Sequence, residues 1–171
     1  MKNLDYNLIQ KYNNFHFFYN GYLSNWADTP FVDLSDGNSY NCSEQYMMYH
    51  KALTFGDHET SIKIMEARHP GDQKALGRKV KNFNPDQWNK VAKNIVYRGC
   101  FYKFTQNVEV YQQLLSTDGS LLVEASPTDI VWGIGLGGYD DLRHDPQNWR
   151  GSNWLGEVLT KLRENLMLNP Y

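Results

Sequence analysis

Ser43-Glu44-Gln45-Tyr46-Met47-Met48-Tyr49-His50-Lys51 is the stretch on which the reading of this sequence turns. Asn41 stands three residues before Glu44, a capping-box spacing that predicts a helix from Ser43 to about Leu53. Glu44 and Lys51 are seven residues apart, which is two turns at ~100° per residue. Both therefore fall on nearly one face, and Met47 and Met48 turn that face inward. A carboxylate and an amine on a half-buried stripe are costly to desolvate. The pair is either a structural ion pair at a helix edge or part of a reactive site, and spacing alone supports the two equally.

Helical signals continue downstream. A helix is expected over about Glu59 to Arg68, stopped by His69-Pro70-Gly71, and another from Asp72, a good N-cap, to Lys79. Asn84-Pro85-Asp86-Gln87 is the clearest start: an N-cap, proline at the first helical position, and glutamine three residues after the cap. Trp88, Val91, Ala92, Ile95 and Val96 then recur at helical spacing toward Phe104. Asn107 to Leu115 is expected to be helical as well. A last helix starts near Trp154, carries Leu155, Val158, Leu159, Leu162 and Leu166 on one stripe, and stops at Asn169-Pro170. Strands are few and short: Phe15 to Tyr19, Thr29 to Leu34 before the turn Asp36-Gly37-Asn38-Ser39, and Leu121 to Ala125. The fold class is mainly α, an α+β chain with a few short N-terminal strands. Its 171 residues suit one core, so residues 1–171 are expected to form a single domain.

Aromatic residues make up 15% of the chain, enough to furnish a cleft for a planar ligand, although a tyrosine-rich core is the more common reason for such an excess. No run of ~18 apolar residues exists to span a membrane, and Met1 to Asn14 is polar, without a signal-peptide stretch. Cys42 and Cys100 make no metal or redox spacing. A cytoplasmic protein is expected. Charge is uneven: residues 63–103 hold ten Lys or Arg against three Asp or Glu, whereas the rest of the chain is acidic by nine. That asymmetry points to an anionic partner for the middle third, or to solvated helix faces.

Gly133, Gly135 and Gly138 in Trp132-Gly133-Ile134-Gly135-Leu136-Gly137-Gly138 fit G-x-G-x-x-G. The turn-forming Tyr139-Asp140-Asp141 that follows rules out the strand–loop–helix context of a dinucleotide fold. Such a loop still lets backbone N–H groups approach a phosphate or ribose. Asp129 is placed either to set a carboxylate beside the loop or to cap its turn. The five histidines show no metal-ligand spacing, so neither a metal nor a cofactor is expected. Glu44, Asp129, Lys51 and ring-stacking side chains remain. Paired carboxylates suit cleavage of a glycosidic bond through an oxocarbenium-like transition state. A lysine of lowered pKa is able to attack a sugar aldehyde as a Schiff-base nucleophile.

Eight segments in order resemble the YbiA-like family, also called NADAR. They are Leu23-Ser24-Asn25-Trp26; Ser43-Glu44-Gln45-Tyr46 with Lys51-Ala52; Ala75-Leu76-Gly77-Arg78; Lys103-Phe104 with Gln106-Asn107; Leu114-Leu115-Ser116-Thr117; Glu124-Ala125-Ser126 with Asp129; Trp132-Gly133-Ile134-Gly135; and Trp149-Arg150-Gly151-Ser152-Asn153 with Leu155-Gly156. The resemblance implies a mainly helical domain over about residues 15–168 that cleaves N-glycosidic bonds without a metal. It implies a phosphorylated ribosyl substrate of one of two kinds. One is ADP-ribose on a nucleobase, especially guanine in DNA or RNA; the other is a ribosylamino-pyrimidine phosphate of early riboflavin synthesis. It places catalysis on Glu44, Lys51 and Asp129. It places substrate binding on Ser24, Asn25, Trp26, Arg78, Trp88, Trp132, Gly133 and Asn153. Two departures bear on substrate choice: Trp26 stands where the family often has Phe, and Met47 and Met48 stand where it usually has His or a second Gln. A non-catalytic ADP-ribose or NAD reader is the alternative of another class, although such a reader needs no acid, base and amine around one pocket.

Overall fold

Asn84 and Pro85 act as their order predicts. The Asn84 side chain accepts the Gln87 N–H at 3.0 Å, and Pro85 fills the first helical position, where its missing N–H leaves no bond unmade. In the computed structural model, which describes residues 2–169, helix α5 (Pro85–Thr105) follows. The other helices are α1 (Tyr6–Lys11), α2 (Ser43–Thr54), α3 (His58–Glu66), α4 (Pro70–Gly77), α6 (Val108–Leu115) and α7 (Trp154–Leu168). The strands are β1 (Phe15–Phe18), β2 (Phe31–Val32), β3 (Ser39–Tyr40) and β4 (Leu121–Glu124), and short 3-10 turns cover Asp141–His144 and Pro146–Asn148. The architecture is mainly helical with a few short strands, as the patterning predicts.

The structure corrects two local expectations and adds one helix. Helix α4 starts at Pro70, not Asp72: His69 is extended and the proline that was expected to stop α3 opens the next helix instead. The residue that reaches back at the start of α2 is Gln45, whose Oε1 accepts the Asn41 N–H at 2.8 Å; the N-cap itself is Cys42, with no side-chain cap bond. Helix α1 was hidden in a polar N-terminal segment, yet Asp5 caps it by accepting the Leu8 N–H. The expected stop at Pro170 lies outside the described residues.

The chain divides into two compact units. One takes the residues up to Ser24 and from Glu109 onward, the other Asn25–Val108. In the first, β1 and β4 pair in parallel, from Phe15 opposite Leu121 to Phe18 opposite Glu124. Leu121, Leu122 and Val123 are all buried, which explains why β4 reads as a continuous apolar run rather than an alternation. Leu4, Leu8, Ile134, Leu136 and Trp149 join Leu121 and Val123 in one cluster, and α7 packs on β4. In the second unit α2 is central, with α3, α4 and α5 packed on it. Two glycines permit that approach. A Cβ on Gly77 would stand 2.0 Å from Met48 Sδ, and one on Gly99 would stand 2.6 Å from the Tyr46 ring. None of the described helices is long and apolar enough to cross a membrane.

Candidate active site

Helix α2 is held in place by polar groups on the face opposite Glu44 and Lys51. Gln45 donates to the carbonyls of Ile64, Met65 and Ala67 at 3.1–3.3 Å, so it satisfies the last turn of α3. Tyr46 donates to Asp33 Oδ2 at 2.7 Å and accepts from Arg98 Nε. Asp33 is fully buried, which alone would raise its pKa. Hydrogen bonds from Ser35 and Tyr46 overcome that and hold its carboxyl down at about 2. The ligand atoms of Asp33, Asp36 and His50 lie within 4.8 Å of one another. The Asp33 oxygens are already engaged by Ser35 and Tyr46, and the Arg98 guanidinium stands 3.7 Å from Oδ2, so the cluster functions as a carboxylate–tyrosine–arginine anchor.

On the other face, Glu44 is 3% exposed and its backbone N–H donates to the Asn25 carbonyl at 2.9 Å. Asn25 is buried and Trp26, next to it, is 47% exposed. Trp26 lies against Gly71, with the Lys74 ammonium 5.9 Å from its ring. Two turns along α2, half-buried Lys51 holds its ammonium 4.1 Å from the Phe83 ring centroid and 5.9 Å from that of Trp88. Burial pushes the Lys51 pKa below its ordinary value, Glu44 pulls it back up, and Arg78 presses it down further. Glu44, Lys51, Arg78 and Trp88 thus belong to one electrostatic and packing neighbourhood within the second unit. Phe83 is the member that sequence reasoning missed. Its signal was an aromatic residue immediately before the Asn84-Pro85 helix start.

The remaining predicted residues have their own settings. Asp129, Trp132, Gly133, Asn153 and Ser24 lie in the first unit. Asp129 Oδ1 accepts the N–H groups of Val131 (2.9 Å) and Trp132 (2.8 Å), the turn-capping geometry that was one of its two readings. Trp132 meets Trp154 edge-on, with ring centroids 5.6 Å apart. Within the glycine-rich loop the N–H groups of Trp132, Ile134 and Gly135 go to Asp129 Oδ1, Glu124 O and Asp129 O, and the loop presents carbonyls to α7. Val131 O accepts from Trp154 N–H and Trp132 O from Leu155 N–H, which satisfies the start of that helix. Gly133 O accepts from Asn153 N–H. Asn153, in a left-handed conformation with φ 54°, donates to Leu122 O (3.0 Å) and accepts from Glu124 N (2.9 Å), so its amide is a clasp for β4. Ser24 is buried, with its N–H on Gly21 O.

The basic bias of residues 63–103 is partly consumed by structure. Lys63 and Lys81 both bind Glu59, Arg98 is held by Tyr46, and Lys103 is fully buried with a pKa lowered by burial to about 8. Arg78, at the end of α4, is exposed.

The chain belongs to the NADAR domain family, whose profile matches residues 14–167. Protein irg-1 of Caenorhabditis elegans is 48% identical over 130 residues, covering 74% of this chain but only 61% of irg-1, so the chain spans less than two thirds of that relative. N-glycosidase R617 of Acanthamoeba polyphaga mimivirus is 44% identical over 145 residues, which is 83% of this chain and 85% of that protein. The NMR structure of the E. coli protein YbiA matches with a TM-score of 0.73 at 28% identity, covering 92% of this chain and 87% of YbiA.

Proposed function

We propose that this chain is an N-glycosidase that hydrolyses the bond between C1 of a ribose and a base nitrogen, and that its substrate is ADP-ribose carried on a nucleobase, guanine in DNA or RNA. The observation that carries this reading is the setting of Lys51: an amine with a burial-lowered pKa, between aromatic faces, on the helix face of a buried glutamate. A relative 44% identical to the chain bears the name N-glycosidase, which supports the reaction class of this reading.

The proposed reaction begins with rupture of the bond between C1 and the ribose ring oxygen: the base nitrogen gives up its proton and becomes doubly bonded to C1, and the ring oxygen takes a proton and becomes a hydroxyl. Neutral Lys51 Nζ adds to C1. The base nitrogen takes a proton and departs, leaving an imine between Nζ and C1. Water adds to the imine, the C–N bond to Lys51 breaks, and the sugar leaves with the amine restored. Glu44 stabilises positive charge at C1 and exchanges the proton with the base. Arg78 binds phosphate, while Trp26 and Trp88 hold ribose or base. Asp129 is proposed as the second carboxylate and Trp132 as a further stacking surface. Ser24, Asn25, Gly133 and Asn153 are proposed to complete the substrate-binding set. The scheme uses no cofactor or metal, and we set it in the cytoplasm.

The test is direct. The protein is incubated with an oligonucleotide carrying ADP-ribosyl guanine and, separately, with a ribosylamino-pyrimidine phosphate, and products are read by mass spectrometry. Release of unmodified guanine in the first arm supports the reading. Turnover confined to the second arm assigns the pyrimidine substrate instead, and binding without turnover in either arm marks a reader of ADP-ribose.

A further inference from the structure

Tyr19-Asn20-Gly21 leads out of β1, and Asn20 lines an open pocket with Phe17, Tyr139 and Arg143. Asn20 and Gly21 are both exposed. Gly21 turns the chain with φ 79°, its carbonyl accepts the Ser24 N–H at 3.0 Å, and the space where a Cβ would stand is open. Among the described residues neither the Asn20 side-chain amide nor the Gly21 N–H has a hydrogen-bond partner. An amide carbon and a main-chain nitrogen that are adjacent in sequence, unhindered and unengaged are able to react with each other, and glycine leaves the nitrogen open to approach.

Asp36-Gly37 shows what the fold does when it protects such a pair. Both residues are again exposed, and Gly37 again has a positive φ, 73°, with open space around it. There the reacting groups are tied down. The Gly37 N–H donates to Asp33 O at 2.8 Å, and the Asp36 carboxylate accepts the Asn38 N–H at 2.8 Å and the Tyr40 hydroxyl at 2.7 Å. Breaking those bonds has to precede any reaction at Asp36-Gly37. Exposure and backbone conformation are alike at the two sites, so the hydrogen bonds are the difference between them.

We infer that Asn20-Gly21 is a site of self-modification, at which water converts the asparagine amide into an acid and so changes the charge at the rim of the pocket. The Gly21 nitrogen gives its proton to hydroxide and bonds to Asn20 Cγ. The Cγ–Nδ2 bond breaks, ammonia leaves with a proton taken from water, and a succinimide ring remains. Water then adds to one of the two ring carbonyls. Opening at Cγ gives aspartate, and opening at the main-chain carbonyl gives isoaspartate, in which the chain runs through the β carbon. The sum is amide plus water to acid plus ammonia, with no oxidant or reductant. Either product sets a carboxylate on a pocket that Arg143 also lines, where opposite charges attract. The inference does not rest on the glycosidase reading.

The full-length protein is aged at pH 7.4 and pH 9, folded and in urea, beside Asn20→Gln. Peptide mass spectrometry and labelling by an isoaspartyl methyltransferase read the products. Asn20 is exposed, so the longer amide leaves the fold intact, and it closes the ring poorly. The expected result is acid at position 20, part of it isoaspartate, released with ammonia, faster at pH 9 and missing in Asn20→Gln. Folding should slow the reaction at Asn20 less than tenfold, and isomerisation at Asp36 tenfold or more, each relative to the same site in urea. No conversion of Asn20 in the folded protein, slowing by tenfold or more there, or equal protection of Asn20 and Asp36 would overturn the inference.

Discussion

The Lys51 ammonium stands 4.1 Å from the centre of the Phe83 ring, on the side of α2 that also carries Glu44. An aromatic face favours the charged amine and burial favours the neutral one, so the two act against each other. The chemistry proposed for Lys51 needs burial to win.

Phe83→Leu keeps the apolar cover and removes the π face. The neutral amine should gain, and the rising limb of kcat/KM against pH should move to lower pH. Phe83→Ala opens the site to water, restores solvation of the ammonium and should move the limb the other way. Both profiles are measurable by product release from pH 6 to 10. Identical limbs in the two variants would mean that Phe83 does not set the protonation of Lys51.

Arg78 should act twice. As a nearby cation it lowers the Lys51 pKa, so Arg78→Gln should shift the same limb to higher pH. Because the same substitution removes a phosphate ligand, it should also raise KM for phosphorylated substrates only, by the equivalent of ~1.5–3 kcal/mol. A KM change that is equal for substrates with and without phosphate would leave Arg78 its electrostatic role alone.

Gly99 and Gly77 should differ in their tolerance of a methyl group. At Gly99 the obstacle is the Tyr46 ring, which is fixed by Asp33 and Arg98. At Gly77 it is the unbranched Met48 side chain, with Sδ at 2.0 Å and Cγ at 2.9 Å, both of which a change of rotamer moves away. Gly99→Ala should cost about 2–3 kcal/mol and Gly77→Ala distinctly less, as read from thermal or urea melts. The reverse order would show that α5 yields more readily than α4.

His50 should make the fold acid-sensitive. Burial among Tyr40, Tyr46 and Tyr49 pushes its pKa down to about 4; Arg98 pushes the same way, and Asp36 and Asp33 oppose it. The unfolded chain binds a proton near the ordinary 6.5, the folded chain not until about 4. Stability is therefore whole above pH 6.5 and falls as pH drops through that window, by roughly 3 kcal/mol at most. Comparing melting temperatures at pH 7.5 and 5 should show a smaller drop in His50→Gln than in the parent protein.

Much of this was legible in the sequence because it was local. Asn84-Pro85 and the leucine stripe of α7 announce their helices through spacing and side-chain chemistry that need no distant partner. The seven-residue interval from Glu44 to Lys51 sets both on one face through helix geometry alone. What stayed hidden was long-range. Nothing in Phe15–Phe18 says that its partner is Leu121–Glu124, because a parallel pair leaves no turn signal between its strands. Asn153 carries the same name whether it binds a ligand or clasps β4, and only its two backbone bonds distinguish these. The glycine-rich loop has the composition of a phosphate cradle, and only the fold reveals that the Val131 and Trp132 carbonyls serve the N–H groups of α7.

The central claim is that Lys51 bonds covalently to the sugar. Borohydride reduction during turnover, followed by peptide mass spectrometry, tests it most directly. The account predicts a reduced sugar adduct on Lys51, absent in Lys51→Arg, which should also lose at least a hundredfold in rate. No adduct, with Lys51→Arg retaining near-full rate, would contradict it and leave the lysine an electrostatic neighbour of Glu44.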